Sequence, residues 1–195
     1  LMRLLTGILC AQPFSSQLLG DSSLSQRPMR RILEPLRSMG AMVKGQRLGH
    51  EEVAPLVIDP ITGLGGGCFQ LKKASAQVKS CLLFAALYSK GEIYVSEPQQ
   101  SRDHTERLLA HMGIELISTE YGISLKPSAL KPIDWKIPGD LSSAAFWIVA
   151  ATLIPGSHLI IKEVGVNPTR TAVIDLLVQM GANIQLHRTE AFEPI

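Results

Sequence analysis

Three arginines stand at the entrance to three similar helical stretches. They are Arg27 in "RPMRRILEPLRSMG" (27–40), Arg102 in "SRDHTERLLAHMG" (101–113) and Arg170 in "RTAVIDLLVQMG" (170–181). A guanidinium grips a phosphate or carboxylate at two points. It sits awkwardly at a helix N-terminus, where the dipole favours negative charge, so a cation there makes most sense when an anion joins it. The competing account is a solvated loop arginine, or one kept by duplication of a unit. A second candidate is "KKASAQVKSCLLFAAL" (72–87), in which Ser75 falls where a helix begins, Gln77 just inside it and Lys79 one turn in. The first N–H groups of a helix have no internal partner and favour anions. A hydroxyl and a lysine strengthen such a site, although a plain serine cap on a buried helix fits the same residues. Arg3 lies on the first helical stretch, and Arg30, Arg31 and Arg37 read as an exposed helical face.

Other chemistries find little support. The five histidines are scattered; His104 and His111 share one helix face at a spacing that makes no metal motif. No pair of catalytic carboxylates is visible, and Asp103 and Glu106 suit the first turn of their helix. Cys10, Cys68 and Cys81 have no metal-like spacing, and an unpaired set suits a reducing cytosol. "GLGGG" (63–67) lacks the spacing of a dinucleotide fingerprint. A formal charge of +2 gives no bulk field for nucleic acid, so anion binding must come from local placement. The longest apolar stretch, near residues 144–154, is too short for the roughly 20 residues of a membrane helix. With 46% apolar and 18% charged residues, the chain has ample material for a core.

The elements that would position these residues repeat. Met-Gly pairs fall at 39–40, 112–113 and 180–181. Before each arginine comes a strand-like segment ("SSQLLG", "GEIYVSE", "SHLIIKEV"), and before each strand a helix rich in small apolar residues. After each Met-Gly comes another strand ("AMVKG", "IELIST", "ANIQL"). Gly40, Gly113 and Gly181 stand where a helix stops in the left-handed conformation. Pro28 suits the first turn of a helix, Asp140 an N-cap, and "EYGI" (120–123) a hairpin turn. Residues 126–140, with three prolines, read as a hinge between domains. The chain opens inside a helical pattern and closes on "AFEPI" without a closing element, as a fragment would. These features predict a pseudo-symmetric repeat α/β protein with several anion-ready helix starts. They name no reaction.

Three long motifs go further. "LLGDSSLSQRPMRRILEPLRSMGA" (18–41), "ASAQVKSCLLFAAL" (74–87) with "SRDHTERLLAHMG", and "IPGDLSSAAFWIVAATLIPGS" (137–157) with "VGVNPTRTAVIDLLVQMGA" (164–182) resemble the 5-enolpyruvylshikimate-3-phosphate synthases. The resemblance covers nearly the whole chain, in the forms of the bacterial subgroup with SAQVKS and SRDHTE. It implies the two-domain enolpyruvyl transferase fold, α/β, each domain built of βαβαββ units around a pseudo-threefold axis. Residues 1–137 would be most of the first domain and 138–195 the start of the second. It implies transfer of the enolpyruvyl group of phosphoenolpyruvate to the 5-hydroxyl of 3-phosphoshikimate, with release of phosphate. This is a step of aromatic amino-acid biosynthesis and the target of glyphosate. It implies no cofactor and no metal, small-molecule substrates, no nucleic acid or membrane partner, a monomer, and a cytoplasmic location. Carried over by position, Ser75, Ala76 (through its N–H), Gln77 and Arg102 would bind 3-phosphoshikimate. Arg27 and Gln77 would bind phosphoenolpyruvate, with Arg3 and Lys79 as further contributors. Arg170 would be inherited without a role. The proton-transfer groups would lie beyond Ile195, leaving residues 1–195 inactive alone. The alternatives are the related transferase acting on UDP-N-acetylglucosamine, whose cysteine-bearing loop is not found here, and a non-catalytic anion-binding module.

Overall fold

The computed structural model describes residues 1–187, so the terminal "AFEPI" lies outside the described residues. The chain forms two compact units. The first comprises residues 1–101 and 109–131; the second, residues 102–108 and the chain from Pro132 onward. The division at Lys131/Pro132 falls inside the proline-rich segment, before the 137/138 boundary expected from the sequence. The assignment of 102–108 to the second unit was not foreseen.

In the first unit, α1 (Met2–Leu9) leads to β1 (Ser16–Leu18), a short 3-10 turn at Leu24–Gln26, and α2 (Arg30–Ser38). Two long strands follow, β2 (Met42–Leu48) and β3 (Glu51–Asp59), then β4 (Gly67–Gln70), α3 (Ala76–Ala86) and β5 (Ile93–Ser96). α4 (His104–His111), whose residues up to Leu108 belong to the second unit, is followed by β6 (Leu116–Thr119) and β7 (Gly122–Leu125). One antiparallel sheet has the order β1-β3-β2; the other has the order β4-β5-β7-β6, with β4 and β5 parallel. β6 and β7 pair from Thr119–Gly122 outward, as the "EYGI" turn predicts. β3 was not anticipated, because Pro55 interrupts its pattern. The sheet accommodates that proline at an irregularity: β2 pairs Gly45 with Leu56 and Gln46 with Val53, passing over Ala54 and Pro55.

The core of this unit takes Ile32, Leu33 and Leu36 from α2, Leu56 and Ile58 from β3, Leu82 and Leu83 from α3, and Ile93 and Leu125 from the second sheet. α3 is buried on nearly all sides, from Val78 to Ala86 with only Phe84 partly open. Beside it α1 comes into backbone contact: a Cβ on Gly7 would lie 2.1 Å from the Cys81 carbonyl oxygen. Only glycine permits that approach.

In the second unit, α5 (Leu141–Leu153) and α6 (Ala172–Gln179) pack Leu141, Ala144 and Ile174 together, with Ile148, Val164, Val173 and Ile184 against them. Asp140 caps α5 as expected, accepting from Ser142 N at 3.0 Å. Two expected strands are absent among the described residues. "SHLIIKEV" makes a single bridge, Gly139 to Val164, and "ANIQL" makes none. Their apolar β-branched pattern suits a strand, but a strand exists only where a neighbour takes its backbone groups.

The repeat is visible in the hydrogen bonds that end three helices. Gly40, Gly113 and Gly181 have φ of +92°, +82° and +95°. Their N–H groups bond Arg37, Ala110 and Val178, while the following residues, Ala41, Ile114 and Ala182, reach back to Leu36, Leu109 and Leu177 at 2.9–3.0 Å. The same Schellman closure is thus written three times. The helix starts differ from expectation. α2 begins at Arg30, with Met29 as cap, so Pro28 precedes the helix rather than opening it. Arg27 closes the 3-10 turn, and Arg102 and Arg170 each lie two residues before their helix.

Candidate functional site

α1 and α3 run side by side in the same direction. Arg3 meets Gln77 and Gly7 meets Cys81, four residues further along each helix. Two helix N-termini therefore come together, and their unpaired N–H groups and dipoles add. Ser75 is the N-cap of α3, in extended conformation, and its hydroxyl makes no capping bond. Ser75, Ala76 and Gln77 are all half-buried. Arg3 bridges the two helices and the loop before α2: Nη1 donates to Gln77 Oε1, and Nη2 donates to the Pro28 carbonyl at 2.8 Å. The first bond fixes which face of the Gln77 amide is the acceptor, so its NH₂ points away from Arg3. Burial, and then the positive charges of Arg31 and Arg27, hold the Arg3 pKa below its usual value. Such a cluster is relieved by an anion. A cavity of about 310 Å³ opens there, lined by Arg3, Pro28, Arg31, the ion-paired Arg30 and Glu34, and Glu51. Arg27 itself is exposed.

Lys79 does not face this cavity. Its side chain is 5% exposed and its ammonium lies 2.8 Å from Glu97 Oε1. The same oxygen accepts from Ser101 N at 2.8 Å and Ser101 Oγ at 2.9 Å. Although burial pushes the Glu97 pKa upward, the bonds from Lys79 and Ser101 outweigh it and hold the carboxyl below its usual value. Lys79 is thus ion-paired with Glu97. Glu97 and Ser101 went unnoticed in the sequence; an acidic residue four positions before a serine in a loop is too common a pattern to stand out.

In the second unit Arg102 lines a cavity of about 430 Å³ together with Ser142, Thr169 and Arg170. Next to Arg102, Asp103 Oδ1 accepts from Asn167 Nδ2 at 2.7 Å and Thr169 Oγ1 at 3.0 Å, and Oδ2 accepts from Arg107 Nε at 2.9 Å. These bonds hold Asp103 below its usual pKa against the opposing effect of burial. Arg170, expected to be without a role, donates to Ser142 Oγ and lies 3.4 Å from Asp140. Among the described residues no group of three His, Cys, Asp or Glu is placed to hold a metal ion, and no helix is long and apolar enough to cross a membrane.

Known proteins resemble this chain in sequence and fold. A family profile described as EPSP synthase (3-phosphoshikimate 1-carboxyvinyltransferase) matches residues 1–193. A protein of Syntrophomonas wolfei named 3-phosphoshikimate 1-carboxyvinyltransferase is 50% identical over 100% of this chain and 45% of its own length. One of the same name from Coxiella burnetii is 51% identical over 98% of this chain and 43% of its own. The chain therefore spans less than half the length of these curated relatives. A solved EPSP synthase from Acinetobacter baumannii superposes with a TM-score of 0.82 at 45% identity, over 93% of this chain and 41% of that one. By motif, sequence and fold, the chain belongs to the EPSP synthase family.

Proposed function

We propose that the protein of which these residues form part transfers the enolpyruvyl group of phosphoenolpyruvate to the 5-hydroxyl of 3-phosphoshikimate. The 5-oxygen gives up its proton and bonds to C2 of phosphoenolpyruvate while C3 gains a proton, giving a tetrahedral species with two phosphates and two carboxylates. Loss of a proton from C3 with cleavage of the C2–O bond to the phosphate then expels phosphate and restores the enol double bond. The observation that carries this assignment is the Arg3–Gln77 bond, which sets a guanidinium and a carboxamide beside the uncapped Ser75 at two merged helix N-termini. Preorganised donors of this kind are what accumulating negative charge requires. Ser75, the Ala76 N–H and Gln77 are assigned to 3-phosphoshikimate, and so, separately, is Arg102. Gln77 and Arg27 take phosphoenolpyruvate, with Arg3, which bonds Gln77 and feels the charge of Arg27, as a further contributor. The two units would be parts of the two domains of the fold. No cofactor is invoked, and we assign a monomer working in the cytoplasm. The test is turnover of phosphoenolpyruvate with 3-phosphoshikimate by full-length protein carrying Arg3→Gln. Loss of one preorganised donor costs a factor of about 10²–10³ in kcat. Turnover within a few-fold of the unaltered protein would remove Arg3 from the site.

A further inference from the structure

The loop before α4 and the loop before α6 are tied by one carboxylate. Asp103 Oδ1 takes both Asn167 Nδ2 and Thr169 Oγ1. Asn167, 1% exposed, turns its own amide oxygen to Thr169 N and Thr169 Oγ1, both at 2.8 Å. Asp103 and Asn167 bond inward, toward one another and toward Thr169, so the network is a clasp holding residue 103 against residues 167 and 169. One position along each segment stands an arginine, Arg102 and Arg170, and both line the cavity described above, over Leu141 and Val173. Among the described residues Arg102 makes no hydrogen bond or ion pair. Arg170 is fixed through Nη2 by Ser142 and Asp140, leaving Nε and Nη1 uncommitted among those residues. The Asp140 carboxylate, 61% exposed and 3.4 Å away, offsets only part of the paired positive charge. Two guanidiniums held over one cavity repel each other until an oxyanion enters.

We propose that Arg170 is a second binding residue for the oxyanion that Arg102 holds, and that Asp103 is the positioning residue that brings the two together. This rests on the assignment of 3-phosphoshikimate to Arg102, whose phosphate and carboxylate are the two possible sources of the oxyanion. The experiment titrates full-length protein, unaltered and carrying Arg170→Gln, Arg170→Lys or Asp103→Asn, with 3-phosphoshikimate, shikimate and inorganic phosphate. Arg170→Gln is expected to weaken 3-phosphoshikimate at least tenfold, and Arg170→Lys by less. Shikimate left unchanged makes the phosphate the bound group; shikimate weakened equally, with inorganic phosphate unchanged, makes it the carboxylate. Asp103→Asn should weaken the same ligand, and adding it to Arg170→Gln should cost under threefold more, because both remove one contact. A folded Arg170→Gln protein that binds all three probes like the unaltered one overturns the proposal. If unaltered protein binds inorganic phosphate but neither shikimate compound, the substrate assignment fails. The role of Arg170 is then decided by whether Arg170→Gln abolishes phosphate binding.

Discussion

Lys79→Met tests whether the buried Lys79–Glu97 pair holds the first unit together. The two side chains are 5% and 8% exposed, with 2.8 Å between Nζ and Oε1. The variant keeps the length of the side chain but takes the ammonium from a carboxylate that stays buried with only the two bonds from Ser101. Its other oxygen, Oε2, is buried without a hydrogen-bond partner among the described residues. Stranding a buried charge by deleting its partner costs about 3–5 kcal/mol. At a urea dependence of about 2 kcal/mol per molar, the midpoint read by far-UV circular dichroism should fall by about 1.5–2.5 M at pH 7. The pH dependence supplies the sharper check. In the unaltered protein the Glu97 pKa is held below its unfolded value. Its contribution is present above the unfolded value of about 4.3 and is lost as pH falls through the folded one. In the variant, burial acts without Lys79 to oppose it, so the folded pKa moves up and protonation relieves the cost. The stability difference should therefore be widest near pH 7 and narrow steadily below about pH 5. A difference that is small, or the same at pH 7 and pH 4.5, would refute the reasoning.

Three further outcomes follow from packing. Gly7→Ala sets a methyl 2.1 Å from the Cys81 carbonyl, so α1 and α3 must part. We expect a loss of about 1–3 kcal/mol in urea unfolding, and an unchanged midpoint would mean the helices do not touch there. Gly40→Ala meets no atom within 4 Å but stands at φ +92°; strain alone should cost about 1–2 kcal/mol by the same assay. Of Cys10, Cys68 and Cys81 in native protein at pH 7.5, the exposed Cys68 alone should react with a thiol reagent. Burial pushes the Cys10 thiol up to about 12 and raises Cys81 as well, so those two should label only in denaturant; prompt labelling of three thiols would contradict the packing of α1 on α3.

What could be read from the sequence was what local rules determine. The three Met-Gly endings became three identical helix closures, because left-handed φ is a property of the glycine itself. Asp140 and the "EYGI" turn were legible for the same reason. The expected strands at 157–164 and 182–186 failed because pairing needs a neighbour, which side-chain alternation does not report. β3 was hidden by Pro55, which the sheet passes over in a single irregularity. At the candidate site, Ser75 and Gln77 were visible as a helix start, but the bond from Arg3 to Gln77 was not. That bond follows from α1 lying parallel to α3, a tertiary fact set by Gly7. Lys79, an anion-ligand candidate by spacing, forms a buried ion pair with Glu97 that spacing did not reveal. The Asp103–Asn167–Thr169 clasp joins residues more than 60 positions apart, beyond the reach of any motif.

Phosphate release by the full-length protein tests the central claim most directly. Phosphoenolpyruvate is supplied with 3-phosphoshikimate in one reaction and UDP-N-acetylglucosamine in another. The proposed function predicts stoichiometric phosphate with 3-phosphoshikimate only. Release with the sugar nucleotide instead would keep the fold and overturn the substrate, and no release with either, from a folded protein, would leave an anion-binding module where an enzyme was proposed.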